Sequence, residues 1–146
     1  MNPRTLFAAA LVVAAVALAG CASITPIAYT TQPGRIADPA KEASTIIKAN
    51  VVGGCIAEPS YEKPLLIVKF VCSNGLGNVV AKLDRVEKIY LEQSGEWYRV
   101  VVRHVGGGDD FNWTSKSLDD MQRLADALTA LSQPAPDADK RQPPSI

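Results

Sequence analysis

Between Leu6 and Gly20 the chain (LFAAALVVAAVALAG) carries no charged or strongly polar side chain, and this run decides how much of the sequence is left to fold. It follows Arg4 closely, in the order of a positive n-region and an apolar h-region of a secretory signal. The run falls short of the roughly 20 apolar residues a helix needs to span a bilayer core, and about half of it is Ala, which adds little apolar area. Residues 1–20 are therefore expected to be removed and to take no part in the fold. What remains of the 146 residues has room for one modest domain, which excludes a multidomain enzyme.

The apolar run ends in Leu18-Ala19-Gly20-Cys21, which resembles the lipobox of bacterial lipoproteins. The resemblance covers residues 1–21 and implies an address rather than a fold. In that family the Cys thiol receives a diacylglyceryl group, cleavage occurs before it, and the new amino group is acylated, commonly with palmitate. Cys21 would then be the first residue of the mature chain, held by several acyl chains at roughly 0.8 kcal/mol per buried CH₂. Residue 22 is Ala rather than Asp, the residue that in such proteins favours inner-membrane retention. The resemblance thus implies an outer-membrane protein facing the periplasm.

Loss of residues 1–20 removes Arg4 and no acid, leaving 14 basic and 15 acidic side chains out of the original 15 and 15. A nearly neutral chain has no basic excess for a phosphate backbone, so nucleic acid is not an expected partner. Residues 21–37 (CASITPIAYTTQPGRIA), with Pro26, Pro33 and Gly34 and no consistent period, read as a flexible tether. Residues 133–146, with four prolines and several charges, read as a disordered tail. The folded unit expected between them, residues 38–132, is about 95 residues, a size at which a covalent staple helps.

Helical spacing is clearest at Ser117 to Leu131. Leu118, Met121, Leu124, Ala125, Leu128 and Leu131 define one face, while Asp119, Asp120, Gln122, Arg123 and Asp126 are assigned to the other. Ser117 suits an N-cap, with Asp120 completing a short capping box. Asp38-Pro39 is a second helix start, but the β-branched run Ser44 to Val52 competes with it, so residues 39–50 read as either helix or strand. Leu65 to Cys72 (LLIVKFVC) reads as a buried strand. Val86–Leu91 and Trp97–Val105 read as a hairpin across Gln93-Ser94-Gly95-Glu96, followed by a short strand around Phe111 and Trp113. The expected fold is α+β: a small antiparallel sheet of about four or five strands closed by a C-terminal amphipathic helix. Strands ending in an aromatic strand and a helix look like the C-terminal half of pleckstrin-homology-like domains. No phosphoinositide-type basic loop accompanies that likeness, so it implies no ligand.

With Cys21 assigned to lipid, Cys55 and Cys72 form an even pair in a compartment that permits disulfides. Sixteen residues lie between them, and closing that loop is worth roughly 3 kcal/mol through the unfolded state. His104 is the sole histidine, so no His-rich metal site is expected and no cofactor is implied. His104 with Asp109 or Asp110 is the one pairing that general-base chemistry offers, and no nucleophile elbow accompanies it. Gly106-Gly107-Gly108, followed by those two acids, reads as a loop rather than an anion cradle. Among the aromatics, Trp97, Tyr98 and Trp113 are the candidate interaction residues. Adjacent strand residues face opposite ways, so Trp97 and Tyr98 cannot both be core. The resulting expectation is a non-enzymatic, membrane-anchored module that binds an envelope protein. Binding of a small molecule, lipid or glycan is the alternative, and a small hydrolase is the least favoured.

Overall fold

The computed structural model describes residues 23–108 and 110–134. Cys21 and the tail from residue 135 lie outside them. Strand β1 (Ile24–Ile27) and a 3-10 turn (Pro33–Arg35) precede helix α1 (Pro39–Ala49). Strands β2 (Ile56–Glu62), β3 (Leu65–Cys72) and β4 (Gly75–Lys82) follow, then β5 (Val86–Ser94), β6 (Trp97–His104), β7 (Phe111–Ser115) and helix α2 (Leu118–Ser132). The strands form two antiparallel sheets, one ordered β1-β5-β6-β7 and the other β2-β3-β4. The fold is therefore α+β with α2 packed on the larger sheet, and it has two sheets where the sequence suggested one.

Residues 39–49 are helical. The Asp38 carboxylate accepts from the Lys41 N–H at 3.1 Å, Pro39 occupies the first turn, and Ala43, Ile46 and Ile47 face the core. Burial of that stripe outweighs the β-branched preference of Thr45, Ile46 and Ile47. Helix α2 is capped by Ser117, whose hydroxyl accepts from the Asp120 N–H at 3.2 Å. The Asp120 carboxylate does not return to the cap. It accepts from the Asn50 side-chain amide at 3.0 Å, while the Ser117 N–H donates to the Ser115 hydroxyl at 2.9 Å. Ser115 in turn donates to Asn50 Oδ1, so this half-buried network joins the end of α1, the end of β7 and the start of α2.

One core unites the two sheets. Val100 and Val102 on β6, Leu66 and Val68 on β3, and Met121, Leu124 and Leu128 on α2 are buried together. Phe70 of β3 stacks on Trp113 of β7 with ring centroids 5.5 Å apart, which ties the sheets across the core. Cys55 and Cys72 are disulfide-bonded one register step beyond the Ile56–Val71 pair, so the staple closes the open end of the β2–β3 hairpin.

The expected tether is built into the fold from Ile24 onward. β1 pairs with β5 in the register Ile24 to Ser94 through Ile27 to Leu91. Beyond it the chain is latched onto α2 by Asp126, which has no solvent exposure although its place in the helix pattern assigned it to the polar face. Tyr29 donates its hydroxyl proton to the two Asp126 oxygens at 3.0 and 2.9 Å, the Gln32 N–H donates at 2.6 Å, and Arg35 Nε makes an ion pair. Burial, then the hydrogen bond to Asp126 and its negative charge, raise the Tyr29 pKa. Burial works against the Arg35 charge, but Asp126 outweighs it and raises that pKa too. The short, Pro- and Gly-containing composition that resembles a linker is ordered by this single long-range partner.

Asp126→Ala removes the shared acceptor. Urea unfolding should show a loss of about 3 kcal/mol, the low end for a broken buried pair because Arg35 retains water contact. The folded phenol of Tyr29 holds its proton more tightly than the unfolded one, so the latch is intact below about pH 10 and weakens as pH rises through the raised value. That alkaline slope should shrink in Asp126→Ala.

Candidate functional site

Register decides which aromatics are accessible. On β6, Tyr98, Val100, Val102 and His104 face α2, while Trp97, Arg99, Val101 and Arg103 face away. Trp97 is 37% exposed, with Lys116 Nζ 5.2 Å from its ring centroid. Tyr98 is half-buried and packs on the core. Trp113 is a correction: it sits opposite Val100 on the inner face, stacked with Phe70 and with Phe111 at a centroid distance of 6.3 Å, so it is a core residue. Of the three aromatic candidates, Trp97 alone is exposed.

The three-stranded sheet presents a surface the sequence reading missed. Strand β3, expected to be a buried strand, buries Leu66 and Val68 on one face only and leaves its other side open. That outer side is nevertheless apolar, with Leu65 and Ile67 half-buried and Val71 exposed. Directly across from Val71 lie Ile56 on β2 and Leu76 on β4, and the three are 64%, 43% and 83% exposed in the order Ile56, Val71, Leu76. The next row on this face is Glu58-Lys69-Asn78, and the last is Glu62-Leu65-Lys82. A solvated strand face normally alternates to polar residues, and this one keeps apolar residues between charged rows. The only signal of it in the sequence was the lack of alternation in LLIVKFVC, which a strand buried on both faces would share.

The sheet edges differ as well. β1 carries Pro26, β2 carries Pro59, and β7 is five residues long, all features that blunt strand addition. β4 is eight residues long without proline, and Gly75 to Asn78 are exposed.

His104 is buried, and its Nε2 accepts from the Lys82 N–H at 3.0 Å, which uses that ring nitrogen structurally. Asp110 lies 3.9 Å from the Arg103 guanidinium, and Asp109 is outside the described residues. Gly106, Gly107 and Gly108 all have positive φ, so this loop depends on glycine at each position. A hollow of about 400 Å³ opens here, lined by Asn78, Lys82, Arg85, His104, Gly107 and Asp110 among others. Among the described residues no group of three or more His, Cys, Asp or Glu is placed to hold a metal ion, and no helix is long and apolar enough to cross a membrane.

In comparisons with known proteins, no family model, no curated protein and no solved structure matches the chain, and no pleckstrin-homology-like fold is identified among them.

The Cys55–Cys72 staple lies at the rim of the apolar row, so it holds the strands that carry Ile56 and Val71 in place. A Cys55→Ala/Cys72→Ala double variant should lose about 3 kcal/mol in urea unfolding. The same shift should follow reduction of the wild-type protein, and an unchanged midpoint would contradict it.

Proposed function

We propose that the protein is a lipid-anchored module of the cell envelope, attached through Cys21 at the periplasmic face of the outer membrane, and that it recruits a protein partner on the outer face of β2-β3-β4. The observation that carries this reading is the exposed apolar row Ile56-Val71-Leu76, with half-buried Ile67, Val80 and Leu65 further along the same face beyond the polar row Glu58-Lys69-Asn78. Nothing within the described chain covers it. Exposed apolar side chains bordered by polar rows are a mark of a protein interface. Glu58, Lys69, Glu62 and Lys82 place both signs of charge within the same face, which suits a protein partner with complementary charges better than acyl chains. The open edge of β4 offers backbone groups beside Leu76 to an extended segment of that partner.

The geometry gives less support to a small-molecule carrier. The space between the larger sheet and α2, where such a pocket would lie, is filled by Met121, Leu124, Leu128, Val100 and Val102.

Photo-crosslinking in intact cells from Ile67 and Leu76 should capture the same protein, and crosslinking from Tyr90 on the other sheet should not. Val71→Lys, a change at an exposed position that costs within about 0.5 kcal/mol of stability, should abolish the adduct. Equal capture from Tyr90, or none from the apolar face, would overturn the surface. In the same cells Cys21→Ser should leave the chain unprocessed or in the soluble fraction; unchanged membrane attachment would overturn the anchor.

A further inference from the structure

We infer that the end of the larger sheet bearing Ile24, Trp97 and Lys116 is a membrane-seating surface, which holds the domain directly against the headgroup region of the bilayer with a fixed orientation. This rests on acylation of Cys21.

The first support is reach. Cys21 precedes Ile24 by three residues, and an extended chain spans at most about 3.6 Å per residue, so the anchored sulfur and the sheet are separated by no more than about 11 Å of backbone. No slack is available further along. Ile24 is in register with Ser94, and the segment behind β1 is held by the bonds of Tyr29, Gln32 and Arg35 to Asp126. The lipid therefore delivers one particular end of the domain to the bilayer surface.

The second support is what stands at that end. Ile24 pairs with Ser94, Ser94 pairs with Trp97, and Lys116 follows the Ser115–Tyr98 pair by one residue. Pairing places Ile24, Ser94 and Trp97 in one row across three strands, on the face turned away from α2, and Lys116, one residue past β7, lies against the Trp97 ring. Ile24 is 57% exposed and Trp97 37% exposed. An exposed indole with an aliphatic neighbour is suited to the membrane interface, where the ring lies among headgroups. Lys116 places its ammonium 5.2 Å from the Trp97 centroid and pairs with Glu96 at 3.2 Å, which sets polar groups suited to the headgroup layer beside the indole. The rows behind it on the same face carry Glu92, Arg99 and Tyr90, with Glu92 and Arg99 ion-paired, so the apolar contact is confined to the tip.

Neither the isolated row nor a single indole gives strong membrane affinity, and neither has to. Acyl chains already in the bilayer make contact of this end intramolecular, so a weak surface is occupied at the high effective concentration the short link imposes. The outer face of β2-β3-β4 belongs to a different sheet from the contacting row.

The test uses the mature acylated protein in vesicles of phosphatidylethanolamine and phosphatidylglycerol whose acyl chains are brominated. The chain has two tryptophans, Trp97 and core-buried Trp113, so a Trp97→Phe variant isolates the signal without touching the core. Wild-type emission should contain a component quenched by the brominated lipid, and that component should be lost in Trp97→Phe. Protein that remains vesicle-bound but is quenched equally in both forms would overturn the seating while leaving acylation intact. Protein that fails to partition with vesicles and carries no acyl mass on Cys21 would overturn the anchor, and the seating with it.

Discussion

A carboxylate with no water contact sits in the middle of the last helix, and the path of residues 29–35 depends on it. Removing Asp126 from solvent is costly, and the cost is offset only because a phenol, a backbone amide and a guanidinium converge on its two oxygens. Those three donors come from seven consecutive residues, Tyr29 to Arg35, so satisfying one charge fixes the path of a whole segment. That path sets β1 beside β5, and β1 sets where the chain leaves the domain. A residue that would be a surface charge on an isolated helix acts here as the keystone of the segment between β1 and α1.

This explains which parts of the structure were legible in the sequence. Helix α2, read as Ser117 to Leu131, occupies Leu118–Ser132 because its period and its cap act locally. The β5–β6 hairpin was legible for the same reason, and its strands run on to a tight turn at Gly95, which has a φ of 58°. The pairing of Cys55 with Cys72 followed from arithmetic and compartment, and the disulfide is present. Strands β1, β2 and β4 were not legible. Pro26, Pro59 and the glycines of Gly75-Leu76-Gly77 all argue locally against a strand, and edge strands tolerate such residues because their register is imposed by a stronger neighbour. Each of these three strands pairs with one the sequence did announce, β5 or β3.

Site residues divided along the same line. Alternation on β6 correctly required that Trp97 and Tyr98 face opposite ways, and Trp97 is the one turned outward. Trp113 was misassigned because aromatic clustering in sequence does not distinguish a core stack from a surface patch. Its partner Phe70 lies in the other sheet, 43 positions away. The apolar outer face of β3 was overlooked for the converse reason, since a strand apolar on both sides looks buried until its neighbours are known. The two surfaces that emerge lie on different sheets of one core, joined by the Phe70–Trp113 stack.

The latch also has a consequence for the order of events during biogenesis. Its donors and acceptor are separated by 97, 94 and 91 positions for Tyr29, Gln32 and Arg35, so contacts near the start of the chain wait for an element made near its end. Long-range closure of this kind is slow, and vectorial synthesis delays it further. Until α2 is available, Tyr29 and Arg35 have no carboxylate to close on, and β1 has no anchored segment behind it. The chain therefore lacks this clasp until its last helix has been made. The contact that fixes where the chain begins is thus among the last that the chain can make.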